Sequence, residues 1–186
     1  MTVLVLGLIL FLLPHMLREF GLREALAGRF PSPGAYKGAY SLTALLGLAL
    51  IVWGKSIAPF AMIWEPPFGL RNISYYLMFP VFWLLLASFL PMSGIRRSAR
   101  NPMVLGVTLW GAAHLWTNGD LASMLLFGGF TLWGAVKFVT LWGRTAVPEY
   151  QFRIVIWDIV SGVLGMTVYW AVFVFHGDLF GVGLVL

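Results

Sequence analysis

Six stretches of the chain are almost free of charge: roughly 2–17, 39–63, 72–92, 102–117, 120–143 and 154–175. Each approaches the ~20 residues that a helix needs to cross a bilayer at ~1.5 Å per residue. Neither strand-like alternation nor an internal repeat runs along the chain. Lipid offers no water to backbone N–H and C=O groups, so apolar stretches of this kind must be helical. The first and fourth are short, about 16 residues each at that rise, and are expected to sit among other helices. The pattern predicts an all-α polytopic transmembrane bundle of about six spans, formed by one integral membrane domain over residues 1–186.

Composition agrees with the pattern. Of 186 residues, 60% are hydrophobic and 10% are charged, against roughly 25% charged in a soluble domain. A formal charge of +5 would suggest a nucleic-acid partner for a soluble protein; here it is explained by loops between spans, and the expected partner is the lipid bilayer. Arg18, Arg23, Arg29, Lys37, Arg96, Arg97, Arg100, Lys137, Arg144 and Arg153 fall on one side, and only Lys55 and Arg71 on the other. That asymmetry marks the basic side as cytoplasmic and puts both termini on the non-cytoplasmic side. The apolar run from Val3 has no basic residue before it and no small-residue cleavage site after it, and is read as the first span rather than a signal peptide.

The polar punctuation predicts local structure. Between Arg18 and Tyr40, Leu17, Phe20, Leu26 and Phe30 alternate with arginines, which predicts an amphipathic helix in the interface, closed by Pro31 and Pro33. Thr117–Asp120 predicts a tight turn, with Asp120 capping the next helix. Trp64–Pro67 is expected to form a rigid turn. Lys137 and Asp158 fall at similar depth in two spans; either they pair, or Lys137 snorkels while Asp158 finds another donor. Ser161 with Gly165, and Gly128 with Gly129, which interrupt the fifth apolar stretch, are expected to let helices approach closely.

Candidate chemistry is sparse. The chain has no cysteine and three histidines, His15, His114 and His176. Thiolate metal sites, disulfides and thiol nucleophiles are therefore excluded. Nucleotide-binding glycine loops and zinc-protease spacings are also missing. His114 lies within an apolar helix, where an ionisable ring is by default a functional candidate. On that helix it shares a face with Met103, Val107, Trp110, Gly111 and Asn118. Gly111, one turn earlier, would leave space for a flat macrocycle against the backbone. The competing reading is a packing histidine bonded to a neighbouring helix. His15 lies by Pro14 and Arg18, and His176 lies at the far end of the last span. Two histidines on separate helices suit a six-coordinate haem iron. His114, however, is fourteen residues from Arg100, about 20 Å further along than His15 in straight spans at ~1.5 Å per residue. His176 is nearer to His114 in nominal depth.

Arg100, Pro102, Gly106 and the run from Ala112 through His114 to Ser123 resemble the signature of NnrU-type membrane proteins, as do Tyr36–Gly54 and Leu179–Val182. The resemblance covers essentially the whole chain. It implies a bacterial inner (plasma) membrane protein linked to denitrification, through nitrite and nitric oxide metabolism. That family is similar to the plastid zeta-carotene isomerase, a membrane enzyme with haem b held by two histidines. Carried over, the resemblance implies haem b, with His114 as one iron ligand, His15 as the second, and Gly111 in the cofactor site. The isomerase has a cysteine three residues before its second ligand. Here that position is Gly111, so a thiolate switch does not carry over.

Four functions are compatible with these features. The first is a haem b protein of nitrogen-oxide or membrane redox physiology, handling a small gaseous ligand or electrons, with His176 as the reserve ligand. The second is a haem-dependent cis–trans isomerase of a carotenoid-like polyene, which would make an apolar isoprenoid a partner. The third is a membrane methyltransferase, because Arg100, Pro102 and Gly106 also occur at the spacing of isoprenylcysteine-type enzymes. Those use paired glutamates, and only Glu149 stands in the corresponding segment, which ranks this reading last. The fourth is a non-enzymatic assembly or regulatory component.

Overall fold

A computed structural model describes residues 1–67, 69, 71–143 and 154–184. Arg144, Glu149 and Arg153, used above for topology and for the methyltransferase reading, lie outside the described residues. The helices are α1 (Thr2–Met16), α2 (Arg23–Ala27), α3 (Pro33–Ser56), α4 (Asn72–Phe89), α5 (Gly94–Ala99), α6 (Pro102–Thr117), α7 (Leu121–Trp142), α8 (Ile154–Val174) and α9 (His176–Phe180).

Four of them, α3, α4, α7 and α8, are long and apolar enough to cross a membrane, and α1 is a shorter apolar helix. The protein is a polytopic helical membrane protein. With 15 and 16 residues, α1 and α6 reach only about 22–24 Å at ~1.5 Å per residue, short of a hydrocarbon core of about 30 Å. Both are flanked by longer helices: α1 packs on α3 and α7, and α6 packs on α7 and α4. α8 completes the row on the far side of α4.

Small residues set these contacts. A Cβ on Gly7 would stand 2.6 Å from the backbone nitrogen of Ile51, and one on Gly47 would stand 2.7 Å from that of Phe11. α1 and α3 therefore cross almost backbone to backbone. Gly165 admits the backbone of Trp83 in the same way, and Trp83 Nε1 donates to Ser161 Oγ at 3.0 Å. In lipid, where apolar burial drives little association, such close contacts and interhelical hydrogen bonds carry the packing. Gly128 and Gly129 do not interrupt α7, which runs unbroken from Leu121 to Trp142.

Two expectations are corrected and one alternative is decided. The second long helix begins at Pro33, not near residue 39, and ends at Ser56. Proline suits the first turn of a helix, where its missing N–H would be unpaired anyway, and Ser32 Oγ caps that turn by accepting from Ala35 N at 3.1 Å. The amphipathic stretch is helical only over Arg23–Ala27, because Gly21 at φ +69° turns the chain away from α1. Of the two outcomes left open for Lys137 and Asp158, pairing does not occur, and Asp158 finds other donors. It accepts from Gly94 N at 2.8 Å and Ile95 N at 2.9 Å. A carboxylate from α8 thus satisfies the unpaired donors that open α5.

The end of the bundle that carries Asp120 is tied by an extended strap. Ile63 N and Trp64 N both donate to Gly119 O, at 2.8 and 3.2 Å, and Leu121 N donates to Ala61 O at 2.8 Å. Asp120 caps α7, as its position predicts, accepting from Ser123 N at 3.0 Å. Lys55 Nζ completes the tie with Asp120 Oδ1 at 3.1 Å and Ser123 Oγ at 2.7 Å.

Candidate functional site

α7 carries two helices that bear the candidate histidines, α1 on one flank and α6 on the other. His114 stacks on Phe127 of α7, with ring centroids 4.6 Å apart, and lies 5.2 Å from Trp110. His15 stacks on Phe11 at 4.7 Å and meets Trp133 of α7 edge-on at 6.1 Å and Tyr40 of α3 at 5.3 Å. Phe127 and Trp133 are six residues apart, so the two imidazoles are offset by about 9 Å along α7 at ~1.5 Å per residue. That is roughly half the gap that straight spans imply, because α1 carries His15 well down the side of α7.

Between the imidazoles lies a layer of aromatic side chains. Phe130 touches Phe11 at 5.6 Å, Trp110 at 5.6 Å and Trp133 at 6.4 Å, counted between centroids. Rings therefore run in contact from His15 through Phe11, Phe130 and Trp110 to His114.

Both imidazoles are oriented by their own helices. His15 Nδ1 lies 2.6 Å from the carbonyl oxygen of Phe11, and His114 Nδ1 lies 2.8 Å from that of Trp110. A carbonyl can only accept, so Nδ1 carries the proton in each and Nε2 presents a lone pair. A ligating histidine characteristically gives its other ring N–H to a carbonyl or carboxylate in this manner. The carbonyl of His114 in turn receives Asn118 Nδ2 at 2.8 Å. His176 shows the same arrangement, with Nδ1 2.6 Å from the Val182 oxygen.

Gly111 is packed differently from the open position that the sequence suggests. A side chain there would collide with Thr131 Oγ1 and with the carbonyl of Phe127. α7 occupies the space beside it, and Gly111 brings α6 close enough for His114 to reach Phe127.

The end of α1 holds a polar cluster that sequence reasoning missed. Lys137 Nζ donates to the carbonyl oxygen of His15 and lies 3.1 Å from Glu19 Oε1. Carbonyls in the last turn of a helix have no partner within it, so Lys137 caps α1 at the candidate ligand. The Glu19 side chain is only 3% exposed. The available signal was a lone lysine inside an apolar span, which needs a counter-charge; depth along the chain pointed to Asp158 and gave no reason to look at Glu19.

A haem iron asks for imidazole nitrogens of fixed tautomer from separate helices; His15 and His114 fit that donor chemistry, while Phe11, Phe130 and Trp110 fill the space between them in this arrangement. No group of three or more histidine, aspartate or glutamate side chains able to hold a bare metal ion occurs among the described residues. In architecture and site, this is a polytopic α-helical membrane protein that sets two pre-oriented imidazoles against one central helix. The NnrU family profile, described as NnrU protein, matches residues 3–184, and the chain belongs to that family. No curated protein and no solved structure gives a significant match.

Proposed function

We propose that the protein binds haem b through His15 and His114 and serves nitrite and nitric oxide metabolism, or a related redox function, in the bacterial inner membrane. One observation carries the reading: each histidine gives Nδ1–H to the carbonyl four residues earlier, which leaves Nε2 free to ligate. α1 and α6 each pack on α7, and the ring contacts between the imidazoles run through side chains, Phe11, Phe130 and Trp110, which would have to move to admit the cofactor. Haem held by both histidines would supply a one-electron redox centre. Lys137 and Glu19 hold the His15 end, while Phe127 and Trp110 hold the His114 ring.

In this reading α1 and α6 join the four longer helices as spans, both termini face away from the cytoplasm, and the short α2 lies in the cytoplasmic interface. A second reading, haem-dependent isomerisation of a polyene, is favoured by the apolar, aromatic character of the side chains between the two histidines.

The test is an absorption spectrum of protein purified from haem-replete cells, oxidised and reduced. A Soret band lost in both His15→Ala and His114→Ala, and kept in His176→Ala, is the expected result. Colourless wild-type protein rejects the reading. A band lost in His176→Ala and kept in His15→Ala moves the second ligand to His176.

A further inference from the structure

Two polar atoms beside His15 are fully buried and have no hydrogen-bond partner: Glu19 Oε2 and Trp133 Nε1. One is an acceptor and the other a donor. Buried polar groups are almost always paired, because leaving one unpaired costs its full desolvation. Both atoms belong to one cluster. Lys137 Nζ lies 3.1 Å from the other oxygen of the same carboxylate and 5.6 Å from the centre of the Trp133 ring. The His15 ring meets Trp133 edge-on.

We propose that this cluster is a water-binding site, in which one bound water accepts from Trp133 Nε1 and donates to Glu19 Oε2. One water can accept from a donor and donate to an acceptor at about 2.8 Å each, and so can satisfy one atom of each kind, as buried waters characteristically do. Its polar partners suffice: an indole N–H, a carboxylate and the adjacent ammonium. The water would give the His15 end of the aromatic layer a polar foothold beside the ring that Trp133 presents to the imidazole. The inference stands on the buried cluster alone and does not depend on haem.

Ultraviolet resonance Raman spectroscopy of the full-length protein in lipid nanodiscs tests it. Subtracting the Trp133→Phe spectrum from the wild type isolates the indole N–H band of Trp133. The expected band is that of a hydrogen-bonded indole. It should move toward the free position in Glu19→Gln, because a water that no longer donates to a carboxylate accepts less strongly from the indole N–H. A free indole in the wild type, or a bonded one unmoved by Glu19→Gln, overturns the proposal. Should Trp133→Phe fail to fold, infrared difference spectra in ¹⁶O and ¹⁸O water read the same site. A bound-water stretch present in the wild type and shifted in Glu19→Gln is then expected; no such band, or no shift, overturns the proposal.

Discussion

Lys137, in the second half of α7, caps the carbonyl of His15 and at the same time neutralises Glu19, a carboxylate that is 3% exposed. One ammonium thus fixes the end of the helix that carries a candidate ligand. Removing one member of a buried pair strands the other, at a cost of about 3–5 kcal/mol. Lys137→Met is therefore expected to lower the unfolding free energy by about 3 kcal/mol, since Lys137 itself is 17% exposed. The double variant Lys137→Met/Glu19→Gln should recover part of that loss. Denaturation by SDS in mixed micelles measures both, and additive losses would count against a coupled pair.

Gly119 accepts two backbone hydrogen bonds from the strap, and a Cβ on it would collide with the carbonyl oxygen of Trp64. Gly119→Ala should lift residues 61–64 from the turn before α7. Faster proteolysis within 57–67 and a lower Tm are expected. Gly128→Ala supplies the contrast, because the nearest atom to its new Cβ is Leu115 Cδ2 at 4.0 Å. Alanine is favoured over glycine within a helix by about 1 kcal/mol, so Tm should hold or rise. A fall of similar size in both variants would exclude the strap as the cause.

The helices are legible in the sequence because lipid leaves apolar runs no alternative, and most ends fall within a few residues of the charge-free stretches. The two ends of α3 are the exceptions. Pro33 has the sequence character of a terminator and is an initiator, since a proline after a cap-forming serine suits either role, and only the helical fate of residues 34–38 decides between them. Residues 57–63 are apolar enough to prolong α3, yet Pro59 and the pairing of Ile63 with Gly119 O draw the chain into an extended strap. Depth alone misassigns the partner of Lys137. Position along the membrane normal can be counted from the chain, whereas the side of α7 that faces α1 depends on which helices are neighbours. For the same reason Gly111 looks open in the sequence: the approach of α7 is a tertiary fact.

Asp120 titrates in the strap. Burial raises its carboxyl, but hydrogen bonds from Ser123 and the Lys55 ammonium outweigh that and hold it below the usual carboxylate value. A carboxylate depressed in the folded state adds stability above its unfolded pKa of about 3.9 and loses it as pH falls through the lower, folded value. The strap should therefore be unaffected by this group between about pH 5 and 7 and loosen below about pH 4. Proteolysis-resistant fraction against pH, compared with Asp120→Asn, reads the effect. Asp120→Asn should be weaker at about pH 7 and flat across the acid range; a parallel acid loss in both would assign it elsewhere.

The orientation of the imidazoles is testable without cofactor. In protein free of haem, at a pH where the rings are neutral, ¹⁵N spectra should report Nδ1–H for His15 and His114 alike, as their carbonyl partners at 2.6 and 2.8 Å require. The Nε2–H tautomer at either ring would remove the pre-organised lone pair on which the ligand assignment stands.

Phe130 is the ring through which the two histidine clusters communicate, in contact with Phe11, Trp110 and Trp133. If haem binds between His15 and His114, this layer must give way, and part of the binding free energy is spent moving it. Phe130→Ala removes the central ring in advance. It should cost about 3 kcal/mol of apoprotein stability, the low end of the range for a large-to-small change because the residue is only half-buried. Yet haem titrated into the apoprotein should bind faster and at least as tightly, as expected when a reorganisation cost is removed from binding. Phe130→Trp should do the reverse, slowing uptake. Weaker haem binding in Phe130→Ala, in protein that retains its helical content, would mean that the ring supports the cofactor rather than stands in its place, and that the iron lies to one side of this layer.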